Sequence, residues 1–567
     1  MTSSFDATAA AELFFAGAQA AGLRRVLICP GSRSSPLAIG AARQPDLDHA
    51  IHLDERTAAF AALGEAKASG EPVAVVCTSG TAGVNFGPAV AEASMSNIAL
   101  IAITADRPPE HQDWGVGQSL DQRGLFGRHV RDEMTMPVGS TGGADFTERA
   151  GWRAVATSLT ESGPVHVNWP FRLPLEPFGE SPSGWSQLLR ATRRPPTRDL
   201  DERERFTHAL EQSSAPVIIA GPNTTRFGDG DSATAILSAA AGLAIPVLAD
   251  ILSGLRGHGE LVPMPALVTA TDDLRSDLVI HLGDTPTAKP LRLWWERQTE
   301  ARQVFVDPDS RWHDASHVFN ERYASEAAWL LTAAATESSS PTASTAHLDA
   351  WLGRGHEAER LVRETLAGTN SLTEAHIGEV IGAWAAEDER RTVVASSSMP
   401  VRDVDLFAPH GNPMSVLSNR GVNGIDGVVA SAMGVERATD GRVVVLIGDV
   451  AALHDVGSIL DAARHRCPLT VVIPNNNGGG IFSNLPIRQA LDDALFEELF
   501  HTPHGSDFSF LGGVDNITYA AIESAEDLRS ALSQRPLDDG VMVLELAVDT
   551  DERLQLTDRI TEALGQL

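Results

Sequence analysis

The sequence predicts an α/β protein built from three doubly wound parallel-sheet domains, and three observations carry that expectation. Short runs rich in Val and Ile, each closing on glycine or polar residues, recur along the 567 residues with Ala-rich helical stretches between them. Strands buried on both faces read this way. The chain is too long for one core, and with 43% hydrophobic residues each of several domains can bury an interior. Two polar stretches poor in apolar anchors, ATRRPPTRDLDERE at 191–204 and TESSSPTASTA at 336–346, divide the runs into three sets, as linkers do. The expected domains are therefore 1–190, 200–335 and 347–567, each of a size normal for one core.

Taken in order, MTSSFDATAAAELFFAGAQAAG reads as a capped amphipathic helix without a basic leader region. The strands of the first set are RRVLICPGSR, PVAVVCTSGT and IALIAITADRPP; those of the second are APVIIAGPN, IPVLADILSG, DLVIHLGDTP and QVFVDPD. The third set holds RTVVASSSMP, RVVVLIGDV, LTVVIPNNNGGG and GVMVLELAVD. In open parallel sheets ligands bind beyond the carboxyl ends of the strands, so the loops closing these runs are where chemistry is expected.

A formal net charge of −31 argues against nucleic-acid and anionic-membrane partners. No apolar run reaches spanning length, so neither membrane insertion nor nucleic acid binding is expected, and a cytoplasmic location is. Any anionic substrate needs locally placed cations. Lys67 and Lys289 are the only lysines among 44 basic residues, so arginine carries nearly all the positive charge. Cys29, Cys77 and Cys467 follow no metal-binding spacing, which suits a reducing compartment.

The stretch VVIPNNNGGGIF, 471–482, runs a strand into three amides and three glycines. Glycine lets backbone approach a phosphate or metal closely. Upstream, VVVLIGDVAAL sets Gly448 and Asp449 at another strand end, and Asn476 follows across residues 450–475. A Gly-Asp pair alone is a common turn. Together, the Asp449 carboxylate, the Asn476 amide and a free Gly478 carbonyl make an oxygen set for a hard divalent ion that also holds a diphosphate.

These residues resemble the GD…NN motif of thiamine diphosphate enzymes. That resemblance asks for a glutamate in another domain to bond the cofactor's aminopyrimidine ring, and HLDERTAAFAALGEAKASG supplies Glu55 at the start of a helix. A helix-terminal acid favoured by the dipole accounts for Asp54 or Glu55 equally well. The wider sequence decides: PGSRSSPL, DERTAAF, CTSGTAGVNF, TADRPPE, GQSLDQRGLFG, SNRGVNGIDG, NNNGGGIF and LFHTPHGSDF occur in order between residues 30 and 508. Together they resemble the family of menaquinone-pathway synthases that make 2-succinyl-5-enolpyruvyl-6-hydroxy-3-cyclohexene-1-carboxylate. The resemblance is close in the outer domains and weak in the middle one.

The resemblance implies pyrimidine-binding, middle and diphosphate-binding domains, in that order. The activity it implies is decarboxylation of 2-oxoglutarate and 1,4-addition of the resulting carbanion to isochorismate. Thiamine diphosphate with Mg²⁺ or Mn²⁺ is the implied cofactor, with Asp449, Asn476 and Gly478 as metal ligands. Glu55, sheltered from water, would exchange a proton with the pyrimidine N1′. Ser32, Arg33 and Gln118 join Glu55 as implied catalytic-site residues. Ser398, Asn423, Ile425, Gly448, Asp449, Asn476 and Ile481 would contact the cofactor, with Ile425 as its wedge. Both substrates are dianions, which favours forked, charge-assisted contacts. Arg107, Lys289, Ser398, Arg402 and Arg420 match substrate-binding positions, and Ile481, Phe482 and Leu485 match an apolar wall. His504 and Asp507 are read as part of a mobile lid. Arg292, Arg302 and Arg311 read as a solvated face rather than an anion site. The implied assembly is a homodimer, with pairing into a tetramer left open. Two other readings are weighed: another thiamine diphosphate-dependent 2-oxoacid decarboxylase or carboligase, against which the arginine-rich loops count, and a non-catalytic nucleotide-binding or regulatory protein, against which Glu55, Asp449 and Asn476 count.

Overall fold

The computed structural model describes residues 6–138, 143–177, 188–271, 274–309, 312–337, 344–535 and 540–566. Arg311 and residues 338–343 of the second polar stretch lie outside that set. Among the described residues the strands fall into three sheets, and the strands pair in parallel. The first sheet has strands β1 (Arg25–Ile28), β2 (Asp48–Ile51), β3 (Val73–Cys77), β4 (Leu100–Asp106), β5 (Asp132–Thr135) and β6 (Val165–Pro170) in the order β2-β1-β3-β4-β6-β5. The second has β7 (Pro216–Ala220), β8 (Val247–Ala249), β9 (Leu278–Leu282), β10 (Arg302–Val306) and β11 (Glu321–Tyr323), ordered β11-β10-β9-β7-β8. The third has β12 (Arg391–Ala395), β13 (Ser415–Leu417), β14 (Arg442–Leu446), β15 (Leu469–Asn475), β16 (Ile517–Ala521) and β17 (Val541–Ala547), ordered β13-β12-β14-β15-β17-β16.

The first and third sheets thus share one topology. In each, the strand order reverses beside the first strand, between β1 and β3 and between β12 and β14. Such a switch point opens a crevice at the carboxyl ends. The loops at those ends carry Ser32 and Arg33 in one sheet, Ser398, Gly448 and Asp449 in the other.

The chain packs as two compact units. The first holds residues 1–194, 419–440 and 454–469; the second holds 195–418, 441–453 and 470–567. The boundary at 194/195 falls inside the first polar stretch, whose start is fastened to the first unit: Ala191 N–H donates to the Ala21 carbonyl and Arg193 to the Gly70 carbonyl. Within the second unit, helices Thr345–Ala367 and Thr550–Gly565 supply Trp351, Val362, Leu556 and Ile560 to the apolar cluster over β7 and β9. Arg292 pairs with Glu296 and Arg302 with Glu321, so these two are engaged locally.

In the first unit, two helix pairs close through reciprocal glycines. A Cβ on Gly17 of helix Ala7–Ala21 would lie 1.8 Å from the Glu148 carbonyl oxygen, and one on Gly151 of helix Ala144–Thr160 would lie 1.9 Å from that of Phe14. Helix Glu55–Ser69 meets helix Val428–Ala438 in the same manner: Gly64 faces the Ser431 carbonyl and Gly434 that of Ala61, each at 2.0 Å from a Cβ built there. Gly64→Val or Gly434→Val should therefore force the backbones apart and destabilise by about 1–3 kcal/mol or more. Gly353→Ala, in an open helical position, should gain roughly 0.5–1 kcal/mol. Thermal unfolding followed by circular dichroism checks both signs.

Candidate functional site

In the second unit, Asp449 begins the short helix Asp449–His454 directly after β14 and is 3% exposed. Its Oδ1 accepts the Val450 N–H at 2.7 Å, and its Oδ2 accepts the Gly478 N–H at 2.9 Å. Gly478 has φ +158°, and a Cβ there would lie 2.2 Å from the His501 carbonyl oxygen, so only glycine fits this turn. Its carbonyl, expected to be free, accepts the Gly480 N–H at 3.0 Å and keeps its second lone pair.

The three asparagines divide their work. Asn475 Nδ2 donates to the Ser506 carbonyl and to Glu545 Oε1, and Asn477 Oδ1 accepts the Gly505 N–H at 2.7 Å. The outer two therefore clamp the loop 502–507. The middle one, Asn476, donates from Nδ2 to Glu374 Oε1 at 3.4 Å, while its Oδ1 is buried with no hydrogen-bond partner. A buried, unpaired amide oxygen costs free energy unless something binds it. Beside it, a Cβ built on Gly448 would meet nothing within 4 Å. The oxygen chemistry of Asp449, Asn476 and the Gly478 carbonyl fits a hard cation, and the open space at Gly448 suits its anionic partner.

The loop 502–507 is fastened at its histidine. His504 Nε2 lies 3.1 Å from Asp449 Oδ2, and His504 Nδ1 accepts the Ser506 N–H at 3.1 Å. With Nδ1 accepting, Nε2 is the donor. His504 is thus fastened to the carboxylate at the centre of the candidate metal site. Asp507 Oδ1 accepts the Ser509 N–H at 2.9 Å.

Ser398 ends the loop after β12 with φ +76° and ψ −132°, a region that non-glycine residues enter at a cost and that clusters at functional sites. Helix Met399–Phe407 follows, and Arg402 NH1 donates back to the Ser398 carbonyl. Burial lowers the Arg402 guanidinium pKa from its usual range. Ile481 and Phe482 are half-buried in the turn Gly480–Asn484, and Leu485 is exposed. Asn484 Nδ2 approaches Met399 Sδ at 3.9 Å, which sets this apolar turn beside the Ser398–Arg402 segment. Lys289 stands exposed at the start of helix Lys289–Arg297, where the dipole disfavours a cation. Among the described residues, no hydrogen bond or ion pair joins it to the other candidates.

In the first unit, Arg33 is 7% exposed, donates from NH1 to the Phe171 carbonyl at 2.8 Å and leaves Nε buried without a partner. Burial, then the like charge of Arg107, lowers its pKa. Arg107 donates from NH2 to the Gly117 carbonyl at 3.1 Å and also leaves its Nε buried and unpaired. Two neighbouring guanidiniums with unmet donors form an anion-seeking pair. Gln118, with φ +59°, clasps Ser79 through two hydrogen bonds. Ser32 is exposed at the end of β1.

Glu55 opens helix Glu55–Ser69, capped by Asp54 through Thr57 N–H, and is half-buried in the single chain rather than sheltered. Its charge, second to burial itself, raises the thiol pKa of the buried Cys29 just past β1, so the carboxylate lies by the switch point. Arg420 is half-buried, Asn423 exposed at φ +58°, and Ile425 half-buried. Their loop is held by Glu92, whose oxygens accept the Gly421 and Val422 N–H groups at 2.9 and 2.8 Å. Lys67 pairs with Glu92 at 3.5 Å.

Sequence reasoning does not single out Glu374. A glutamate at the first position of a helix reads as a dipole-favoured acid, and its contact with Asn476 spans 102 residues. Burial, then the charge of Asp403, pushes Glu374 up to about 7. Asp403 is itself held by Arg553 at 2.6 Å.

Residues 8–125 match the family model for the N-terminal TPP binding domain of thiamine pyrophosphate enzymes, and residues 402–546 match that for the C-terminal TPP binding domain. A 2-succinyl-5-enolpyruvyl-6-hydroxy-3-cyclohexene-1-carboxylate synthase from Chloroflexus aurantiacus is 36% identical, with 94% of this chain and 92% of the relative covered. Relatives of the same name from Halobacterium salinarum and Listeria monocytogenes are 37% and 35% identical, covering 96% and 94% of this chain and 96% and 93% of their own. Among solved structures, a thiamine diphosphate-dependent 4-hydroxybenzoylformate decarboxylase from Rhodococcus jostii RHA1 superposes with a TM-score of 0.71 over 95% of this chain and 99% of the other, at 18% identity. That likeness shows the fold.

His504→Ala should release the loop 502–507 from Asp449. A hydrogen bond to a charged group contributes roughly 1.5–3 kcal/mol, so amide hydrogen exchange across 501–508 should quicken about tenfold or more. The strands β14 and β15 should exchange as before.

Proposed function

The chain belongs to the 2-succinyl-5-enolpyruvyl-6-hydroxy-3-cyclohexene-1-carboxylate synthase family of thiamine diphosphate enzymes, and from that premise we propose that it decarboxylates 2-oxoglutarate and adds the remaining four-carbon unit to isochorismate. The observation that carries this reading is similarity over nearly the whole chain to synthases of that name. Residues 1–190, 200–335 and 347–567 serve as the pyrimidine-binding, middle and diphosphate-binding domains.

Thiamine diphosphate, when bound, would supply the electron sink that lets 2-oxoglutarate lose CO₂ and leaves its former keto carbon as the nucleophile toward the second substrate. Asp449, Asn476 and the Gly478 carbonyl hold Mg²⁺ or Mn²⁺, and Gly448 leaves room for the diphosphate. The unpaired Asn476 Oδ1 supports that assignment. Glu55 exchanges a proton with the pyrimidine N1′ atom. Ile425, Asn423, Ser398 and Ile481 orient the cofactor, and Phe482 and Leu485 help exclude water. Arg33 and Arg107, with Ser32 and Gln118 beside them, take substrate carboxylates, as do Arg402, Arg420 and Lys289.

The working assembly is a homodimer in which the first domain of one chain and the third domain of the other complete each site. Leu53, 70% exposed beside the half-buried Glu55, and the exposed Ile51 and Trp114 supply apolar surface for a partner. The protein works in the cytoplasm.

The decisive assay follows CO₂ release and product mass with 2-oxoglutarate alone and with isochorismate added. Turnover is expected to require both. Isochorismate-independent turnover would mark another 2-oxoacid decarboxylase or carboligase. Glu55→Gln should keep thiamine diphosphate binding yet lose about 10²- to 10⁴-fold in rate; an unimpaired variant at saturating cofactor removes Glu55 from the mechanism.

Mixing inactive Glu55→Gln chains with inactive Asp449→Ala chains tests the shared site. In a mixed dimer one site receives both lesions and the other neither. With random pairing about half the dimers are mixed, so activity should return to roughly a quarter of wild type. No recovery, with mixed dimers confirmed by native mass spectrometry, overturns independent shared sites.

A further inference from the structure

We infer that Glu374 is a positioning residue: it holds the Asn476 side chain by its nitrogen and so turns the amide oxygen toward the metal. The inference rests on the metal reading above and names what orients one of its ligands.

The two ends of an asparagine amide are nearly equal in shape and opposite in chemistry, one accepting and one donating. Only the oxygen can ligate a hard cation. The neighbours of the amide therefore decide whether Asn476 is a ligand at all. Its Nδ2 meets Glu374 Oε1 at 3.4 Å, and its Oδ1 is the buried atom left without a partner. In its ionised form Glu374 offers acceptors alone, and against that form a flipped amide would set two oxygens face to face. The flipped nitrogen would also occupy the metal-facing position.

The surroundings favour this one orientation. A Cβ on Gly480 would stand 2.5 Å from Asn476 Nδ2 and 2.7 Å from Thr550 Oγ1, so the missing side chain makes room for the amide to face Glu374. Glu374 is 7% exposed and is the first residue of helix Glu374–Ala386, whose start is fixed by a capping box between Thr373 and His376. A ligand whose outer partner is rigid arrives at the metal already oriented, and outer partners of metal ligands typically account for about 10- to 100-fold in affinity.

The test uses the full-length protein with thiamine diphosphate and reads Mn²⁺ binding from the free-ion signal in electron paramagnetic resonance. Circular dichroism melts confirm the fold of each variant. Glu374→Ala is expected to weaken Mn²⁺ binding about 10- to 100-fold. Glu374→Gln, which keeps an acceptor oxygen, should stay within about threefold. Asn476→Asp alone sets two carboxylates together and should bind poorly. The exchange Glu374→Gln with Asn476→Asp restores one donor and one acceptor at that contact and should recover affinity. Wild-type Mn²⁺ affinity in Glu374→Ala, equal losses in Glu374→Ala and Glu374→Gln, or an exchange variant no better than Asn476→Asp would each overturn the proposal. If Glu374→Ala fails to fold, the comparison of the exchange with Asn476→Asp decides. Asn476→Ala with undiminished Mn²⁺ affinity would instead remove the metal reading itself.

Discussion

The hydrogen bond from the Gly478 N–H to the Asp449 carboxylate joins the loops after β14 and β15, and the candidate cation-binding residues are arranged around it. Neighbouring parallel strands deliver their closing loops to the same sheet edge, but sharing an edge does not set the spacing between two loops. This bond does. It requires a glycine at 478, where any side chain would strike the His501 backbone, and it leaves Asp449 with one spare acceptor direction on Oδ1. The asparagines on either side of Asn476 then secure the next loop, so a run that looks redundant in sequence performs three distinct tasks.

The acidic balance of the chain sets a second constraint. With a formal charge of −31, long-range attraction works against dianionic substrates, and their capture depends on short-range, desolvated donors. Arg33 and Arg107 offer donors of that kind, in a form that exposed arginines cannot: each has an Nε removed from water and left unsatisfied. Other cations are spent on architecture. Lys67, one of two lysines, pairs with the buried Glu92, which in turn carries the backbone of Gly421 and Val422. Arg256 is tied to Asp405, and Arg553 to Asp403. Breaking such buried pairs leaves an uncompensated charge, which is strongly destabilising, so these cations are unsuited to exchange partners with a substrate.

How much was legible follows from where each strand sits. Interior strands such as β3, β4, β14 and β15 are buried on both faces and read as predominantly apolar runs. The edge strands β2 and β5 do not, because DHAI and DEMT pair on one side only and keep polar side chains. β6 is an interior strand that the apolar pattern still misses. His166 and Asn168 interrupt its apolar run and are accommodated by bonds to Thr104, Gln122 and Asp106, partners that no local pattern names.

The sequence by itself determined the fold class, the positions of the strand-end loops and the chemical types gathered there: the Gly-Asp pair, the Asn-Gly run, the helix-opening Glu55 and the arginine-bearing motifs. These are legible because periodicity, glycine placement and residue chemistry are local properties of the chain. Tertiary structure alone decided which of the three asparagines keeps an unpaired oxygen, that His504 sits on Asp449, that Glu374 faces Asn476, and that Arg33 neighbours Arg107. Each of those facts is a contact between segments far apart in sequence, and its strength depends on burial and direction. Neither quantity exists until the sheets have formed.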